Sequence, residues 1–142
     1  MTKIKNLFNI EDIKNIDLKS ISEENGNLVI LENNEISFPI ERVFTIKTNK
    51  YEVRGHHAHK ECFQLLYCPL GEIEVLCDDS QNQKSFILNS IDKGIIIPPT
   101  IWASQKYKSN IAILNVVCSH KFIENDYIRD YEVFKKFRQN FN

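Results

Sequence analysis

Apolar residues in this chain fall mostly into short runs of period two, broken by turn-forming clusters every eight to twelve residues. Residues 28–31, Leu-Val-Ile-Leu, are an unbroken apolar run and predict a strand buried on both faces. Ile36, Phe38 and Ile40 then alternate with polar neighbours, and Pro39 suits an edge strand. Residues 42–47 are rich in β-branched and aromatic side chains and predict the next strand. Further strands are predicted at 62–67, 73–77, 85–88, 94–97 and 110–118. Turn chemistry separates them at 24–27, 33–34, 48–50, 70–71 and 78–83. Pro98-Pro99 ends the strand before it, because proline brings no N–H to a ladder.

The two ends differ. Ile10, Ile13, Ile16, Leu18 and Ile21 lie among charged residues and predict a short helical turn followed by an edge strand. Tyr127, Tyr131, Phe134, Phe137 and Phe141 are spaced three or four apart, as in an amphipathic helix with Asn125 or Asp126 as N-cap. Its aromatic stripe is expected to pack on another subunit or on the outside of the sheet. The pattern as a whole predicts one all-β domain over residues 1–142, a sandwich or small jelly-roll barrel with a short C-terminal helix. A barrel of this size has a mouth and interior able to hold one small ligand.

Composition narrows the partners. A net charge of −1 with acidic and basic residues interspersed gives no reason to expect nucleic acid or an anionic membrane. The longest apolar run, residues 94–98, is far too short to span a bilayer. Residues 1–5 lead into polar sequence without an apolar secretory segment. Cys62, Cys68, Cys77 and Cys118 form no C-x-x-C pair and read as reduced, buried thiols, which places the chain in the cytoplasm.

The chemistry gathers at Arg54-Gly55-His56-His57-Ala58-His59-Lys60, which holds three of the four histidines, with Gln64 just beyond. On a strand His57 and His59 share a face, and His56 points the other way. Paired imidazoles can bind metal or move protons near neutral pH. Metal-binding cupins, jelly-roll barrels that also start a site with Gly-x-His-x-His, add a glutamate four or five residues later and a histidine after a later turn. Here those places hold Phe63 and Gln64, and residues 98–104 contain no histidine. Two imidazoles and a neutral amide make a poor cage for a first-row metal, so no metal or other cofactor is expected and the histidines are free for proton transfer.

The same segment resembles the R-G-x-H-A-H-K…Q signature of the nucleotide-sugar 3,4-ketoisomerases, WxcM-like cupins that act on dTDP-4-keto-6-deoxyglucose. Weaker similarities follow in order: residues 28–32, Arg42-Val43, the 98–102 turn ending in Trp102, and Asp126-Tyr127-Ile128-Arg129-Asp130-Tyr131. The resemblance implies a cupin homodimer that exchanges its N-terminal strand. It further implies metal-free isomerisation, with His59 as principal acid/base and His57 assisting, in the making of amino sugars for surface glycans.

A C4 ketone acidifies the hydrogen on C3, so one imidazole can take that proton and return it at C4 through an enediolate. Arg54 and Arg42 suit diphosphate oxygens, though Arg42 equally suits a surface ion pair. Trp102 would stack on the base or sugar, or fill a core. Gln64 would orient an imidazole or hydrogen-bond the sugar. Two departures stand out: Phe44-Thr45 replaces the family's tyrosine pair, and Ala103-Ser104 follows the turn tryptophan where histidine is frequent. The first of these motivates a second reading, a dTDP-sugar binding module without catalysis. A third is a metal-dependent cupin oxygenase or sensor.

Overall fold

A computed structural model describes residues 7–49 and 51–141. Residues 1–5, read above for a leader, and Lys50 of the 48–50 turn lie outside the described residues.

After a short 3-10 turn at Ile10–Asp12 come β1 (Lys14–Asp17), β2 (Lys19–Glu23), β3 (Gly26–Ile30), β4 (Arg42–Thr48) and β5 (Glu52–His59). Next are β6 (Gln64–Leu70), β7 (Ile73–Asp78), β8 (Gln83–Leu88), β9 (Lys93–Ile97), β10 (Trp102–Tyr107) and β11 (Ala112–Cys118). A two-residue strand, β12 (Tyr127–Ile128), and one helix, α1 (Tyr131–Gln139), finish the chain. The strands pair in the orders β1-β9-β6-β11-β4 and β12-β5-β10-β7-β8, both antiparallel, with β2-β3 as a separate hairpin. This is the expected all-β jelly roll with a short C-terminal helix. Among the described residues no helix is long and apolar enough to cross a membrane.

The period-two pattern does the sorting. Leu66, Ile95, Ile97, Leu114 and Val116 of the first sheet face Ile73, Val75 and Cys77 of the second across the main core. Their neighbours Leu65, Ile96 and Val117 point outward and would meet water without a cover. Residues 36–40 supply it. They are not the predicted strand but an irregular strap that lays Phe38 on that outer face, because the face needs apolar cover rather than another ladder. The outer face of the second sheet is covered near β5 by α1, through Ala58, Ile128 and Phe134.

Three further expectations are corrected. Residues 28–31 are not doubly buried: β3 pairs only with β2, and Leu28 is 57% exposed. The helix begins at Tyr131 with Asp130 as N-cap, its carboxylate accepting from Val133 N–H at 3.0 Å. Tyr127 instead belongs to β12 opposite His59, so the aromatic spacing continued past the helix into a strand. Strand β10 was missed because its inward residues are Ala103, Gln105 and Tyr107, too polar to register as an apolar period.

One irregularity positions the site. Pairing of β10 with β5 passes from Ala103↔His57 to Ser104↔Gly55, which leaves His56 as an extra residue in a β-bulge. Gly55 (φ +94°) and His56 (φ +63°) both lie in the left-handed region of positive φ. At Gly55 a side chain would also meet Ala103 O and the Gln105 amide at 3.0 Å. The bulge turns Arg54, three residues before His57, onto the same inward face, which strict alternation forbids.

Candidate active site

Inward residues of both sheets and the start of the C-terminal segment enclose a cavity of about 250 Å³. Phe44 and Ile46 come from β4, Arg54, Gly55 and His57 from β5, and Gln64 and Leu66 from β6. Gln105, Leu114, Val116, Tyr127 and Arg129 complete the wall. One side is therefore aliphatic and the other carries cations, an imidazole, amides and a phenol.

His57 forms part of that wall, and His59 lies directly behind it. Their ring centroids are 5.2 Å apart and edge to face, so the two histidines do share a face. Tyr127 covers both, at 5.0 Å from His57 and 4.3 Å from His59. His59 is only 5% exposed, and its Nδ1 lies 2.8 Å from Oδ2 of Asp126. The other Asp126 oxygen accepts from Glu61 N–H at 2.7 Å. Burial raises the Asp126 carboxyl, but the bonds from His59 and Glu61 outweigh it and hold the group below the usual carboxylate range. An ionised carboxylate only accepts, so the shared hydrogen belongs to His59 Nδ1 and a neutral ring carries its lone pair on Nε2. That Nε2 is buried without a hydrogen-bond partner. A buried orphan of this kind calls for an explanation.

Burial disfavours a positive charge on His57. Burial, and then the neighbouring His59, push its pKa down from 6.5 to about 4. The unfolded chain takes up a proton here near pH 6.5 and the folded chain only near pH 4, so stability is lost as pH falls through that window. The loss is on the order of 3 kcal/mol at its acid end. The urea midpoint is expected to fall steadily between those pH values in the wild type and to flatten in His57→Asn. Equal slopes in the two proteins would contradict the assigned environment.

The remaining expected residues divide. Arg54 and Gln64 reach the cavity, and Gln64 donates to Cys118 Sγ at 3.4 Å rather than to an imidazole. Arg42 stays off the wall, lies over the Phe44 and Phe122 rings, and donates from Nη1 to the Tyr127 hydroxyl at 3.3 Å. Trp102 is on the outer face of β10, 5.3 Å from the Tyr131 ring and 5.6 Å from Phe134, so it packs under α1 away from the cavity. His56 is exposed on the bulge. Of the departing pair, Phe44 faces the cavity, while Thr45 points out to Asn115 at 2.8 Å.

Sequence reasoning gave no site role to Asp126, Tyr127 or Arg129. Arg129 is held by a two-pronged bond to Glu124 at 2.8 and 2.9 Å, with its guanidinium 4.2 Å from the Tyr127 ring centre. The signal was present as the D-Y-I-R run, but Asp126 also suited a helix cap and Tyr127 the aromatic stripe.

A family model described as FdtA, WxcM-like, C-terminal, matches residues 11–139. A TDP-4-oxo-6-deoxy-α-D-glucose-3,4-oxoisomerase from Aneurinibacillus thermoaerophilus is 37% identical over 131 residues, 91% of this chain and 94% of its own. A 3,4-ketoisomerase from Helicobacter canadensis superposes with a TM-score of 0.87 at 37% identity, covering 91% of this chain and 98% of its own. A sugar 3,4-ketoisomerase from Thermoanaerobacterium thermosaccharolyticum, solved in complex with TDP, gives 0.87 at 29% identity, covering 92% and 96%.

Proposed function

The chain belongs to the FdtA, WxcM-like C-terminal family and is a dTDP-sugar 3,4-ketoisomerase; from that premise we propose that it converts dTDP-4-keto-6-deoxyglucose to a dTDP-3-keto-6-deoxyhexose through an enediolate, without metal. The observation that carries the mechanism is the Asp126–His59 pair with its unpartnered Nε2.

His59 Nε2 takes the proton from C3, and Asp126 stabilises the imidazolium so formed. The negative charge spreads over O3 and O4 beside the Tyr127 hydroxyl, itself tied to Arg42. The proton returns at C4, the O3 hydroxyl hydrogen passes to O4, and O3 becomes the carbonyl. His57, kept neutral, adds no competing positive charge beside His59 and can hydrogen-bond a sugar oxygen. Arg54 and Arg129 carry guanidinium groups at the wall for the diphosphate, and Gln64 and Gln105 offer amides to the sugar. Tyr127 stands in for the phenol that Phe44 does not provide. Among the described residues the wall offers one imidazole and no carboxylate, a donor set that does not suit a catalytic metal.

The 3-ketone is what an aminotransferase requires, which fits a place in the making of dTDP-linked 3-amino sugars for surface glycans. With four free, buried thiols, the compartment we infer is the cytoplasm. The test is to incubate purified protein with dTDP-4-keto-6-deoxyglucose and follow the sugar carbons by NMR. A 3-keto product is expected; unchanged substrate bound at the site would instead favour the binding-module reading.

We also infer a homodimer built around the N-terminal strands. The β2–β3 hairpin leaves Ile21 and Leu28 exposed, apolar surface that a second copy would cover. Light scattering should give twice the 16.7 kDa chain mass, and a Leu28→Asp chain should shift toward monomer. A wild-type monomer at tens of micromolar would contradict this.

A further inference from the structure

We propose that His59, Cys62 and Asp126 form an inhibitory site for a thiophilic divalent cation of the zinc class, which switches His59 off by taking its Nδ1. The inhibition rests on the isomerase reading above; the binding does not.

The three side chains offer one nitrogen, one sulfur and one oxygen, all within 4.8 Å of one another. Tetrahedral zinc with bonds of ~2.0–2.3 Å places its ligand atoms roughly 3.3–3.8 Å apart. The trio therefore needs shifts on the order of 1 Å, an opening of the 2.8 Å contact between His59 and Asp126 and a closing of separations that reach up to 4.8 Å. A mixed set of imidazole, thiolate and carboxylate suits zinc and repels magnesium or calcium, which want oxygen alone.

The frame is fixed by backbone pairing. His59 closes β5 opposite Tyr127, and Lys60 N–H donates to Asp126 O at 2.8 Å. The segment after Cys62 is pinned to Ser119 by reciprocal bonds of 2.8 and 3.0 Å. Cys62 is buried and makes no part of the substrate cavity wall. A hydrogen bond with Cys118 lowers its thiol against the opposing effect of burial, while Cys118 is pushed up. The thiolate is the form that binds metal. A second cavity of about 140 Å³, lined by Lys60, Glu61, His120, Ile123, Asn125 and Asp126, reaches the Asp126 side of the trio and shares no residue with the first.

The inhibitory effect follows from proton counting. A neutral imidazole carries one hydrogen. While Nδ1 donates to Asp126, that hydrogen leaves Nε2 free to act as base. A cation on Nδ1 moves the hydrogen to Nε2, which then has no lone pair for the C3 proton. Asp126 stays a carboxylate, and Cys62 binds as thiolate, its thiol hydrogen leaving to solvent. Nucleotide binding is untouched, since its contacts lie elsewhere.

The experiment titrates the protein with chelator-buffered zinc, and separately with cobalt as a spectroscopic probe. The wild type should take up one cation per chain, show a thiolate-to-cobalt charge-transfer band, lose turnover in step with zinc uptake, and keep its affinity for TDP. Cys62→Ser should keep its metal-free turnover, lose the band, and need at least ~10-fold more zinc for half inhibition. Cys62→Ala provides a second variant if serine leaves an unpaired hydroxyl that unfolds the chain. Unchanged zinc sensitivity in both variants would overturn the proposal by placing the cation elsewhere, for example on His57. Turnover with no cobalt band would overturn the site and leave the isomerase standing. A band lost in Cys62→Ser, in a protein that never turns the sugar over, would uphold the site and sink the isomerase.

Discussion

His59→Asn is expected to lower turnover by at least ~1000-fold while leaving TDP affinity within about threefold of wild type. Asparagine is smaller and uncharged, so the pocket between His57, Tyr127 and Asp126 can accept it, and its amide can still donate to the Asp126 carboxylate. What it cannot do is hold a carbon-derived proton. The guanidinium groups proposed for the diphosphate, Arg54 and Arg129, lie on the cavity wall and are unaltered. Single-turnover rates and TDP titration, measured on the same sample, check the two halves of the expectation. A rate near wild type would remove His59 from the base role and leave His57 as the imidazole to consider.

Asp126→Asn should cost roughly 10²–10⁴ in kcat with little change in KM, because it reverses the tautomer of His59. The orientation of the new amide follows from the structure. Its oxygen keeps the 2.7 Å bond to Glu61 N–H, which turns the NH₂ toward His59 Nδ1. Nδ1 must then accept, the ring hydrogen moves to Nε2, and the base is lost although every heavy atom stays in place. A merely structural Asp126 would act on melting temperature and KM together; a loss confined to kcat at unchanged melting temperature identifies a positioning residue. Equal kcat values for Asp126→Asn and wild type would show that the dyad is not used.

What the sequence conveyed, and what it withheld, follows physical lines. Strands with apolar inward faces, such as β7 with Ile73, Val75 and Cys77, announce themselves by period alone. Strand β10 did not, because the cavity requires Gln105 where a core strand would place an aliphatic residue. The signal was weakest at the site for that reason. The histidine pair was legible from spacing, since the bulge at Gly55-His56 falls before it and alternation holds from His57 to His59. Arg54 on the same face was not derivable from alternation, because only the bulge places it there. Asp126 lies 67 residues from His59, and pairing of β12 with β5 brings them together. That pairing is two residues long, too short to leave a periodic mark. Trp102 shows the opposite case: sequence left ligand stacking and core packing open, and the outward face of β10, which needs an aromatic to receive α1, decides for packing.

The central claim is that His59 exchanges a proton with carbon. Proton NMR of the purified protein with dTDP-4-keto-6-deoxyglucose in deuterated water tests it most directly. The predicted result is deuterium at C3 of the recovered 4-ketone and at C4 of a new 3-ketone, both absent with His59→Asn. Binding of the sugar nucleotide with neither deuterium incorporation nor a new ketone would contradict it.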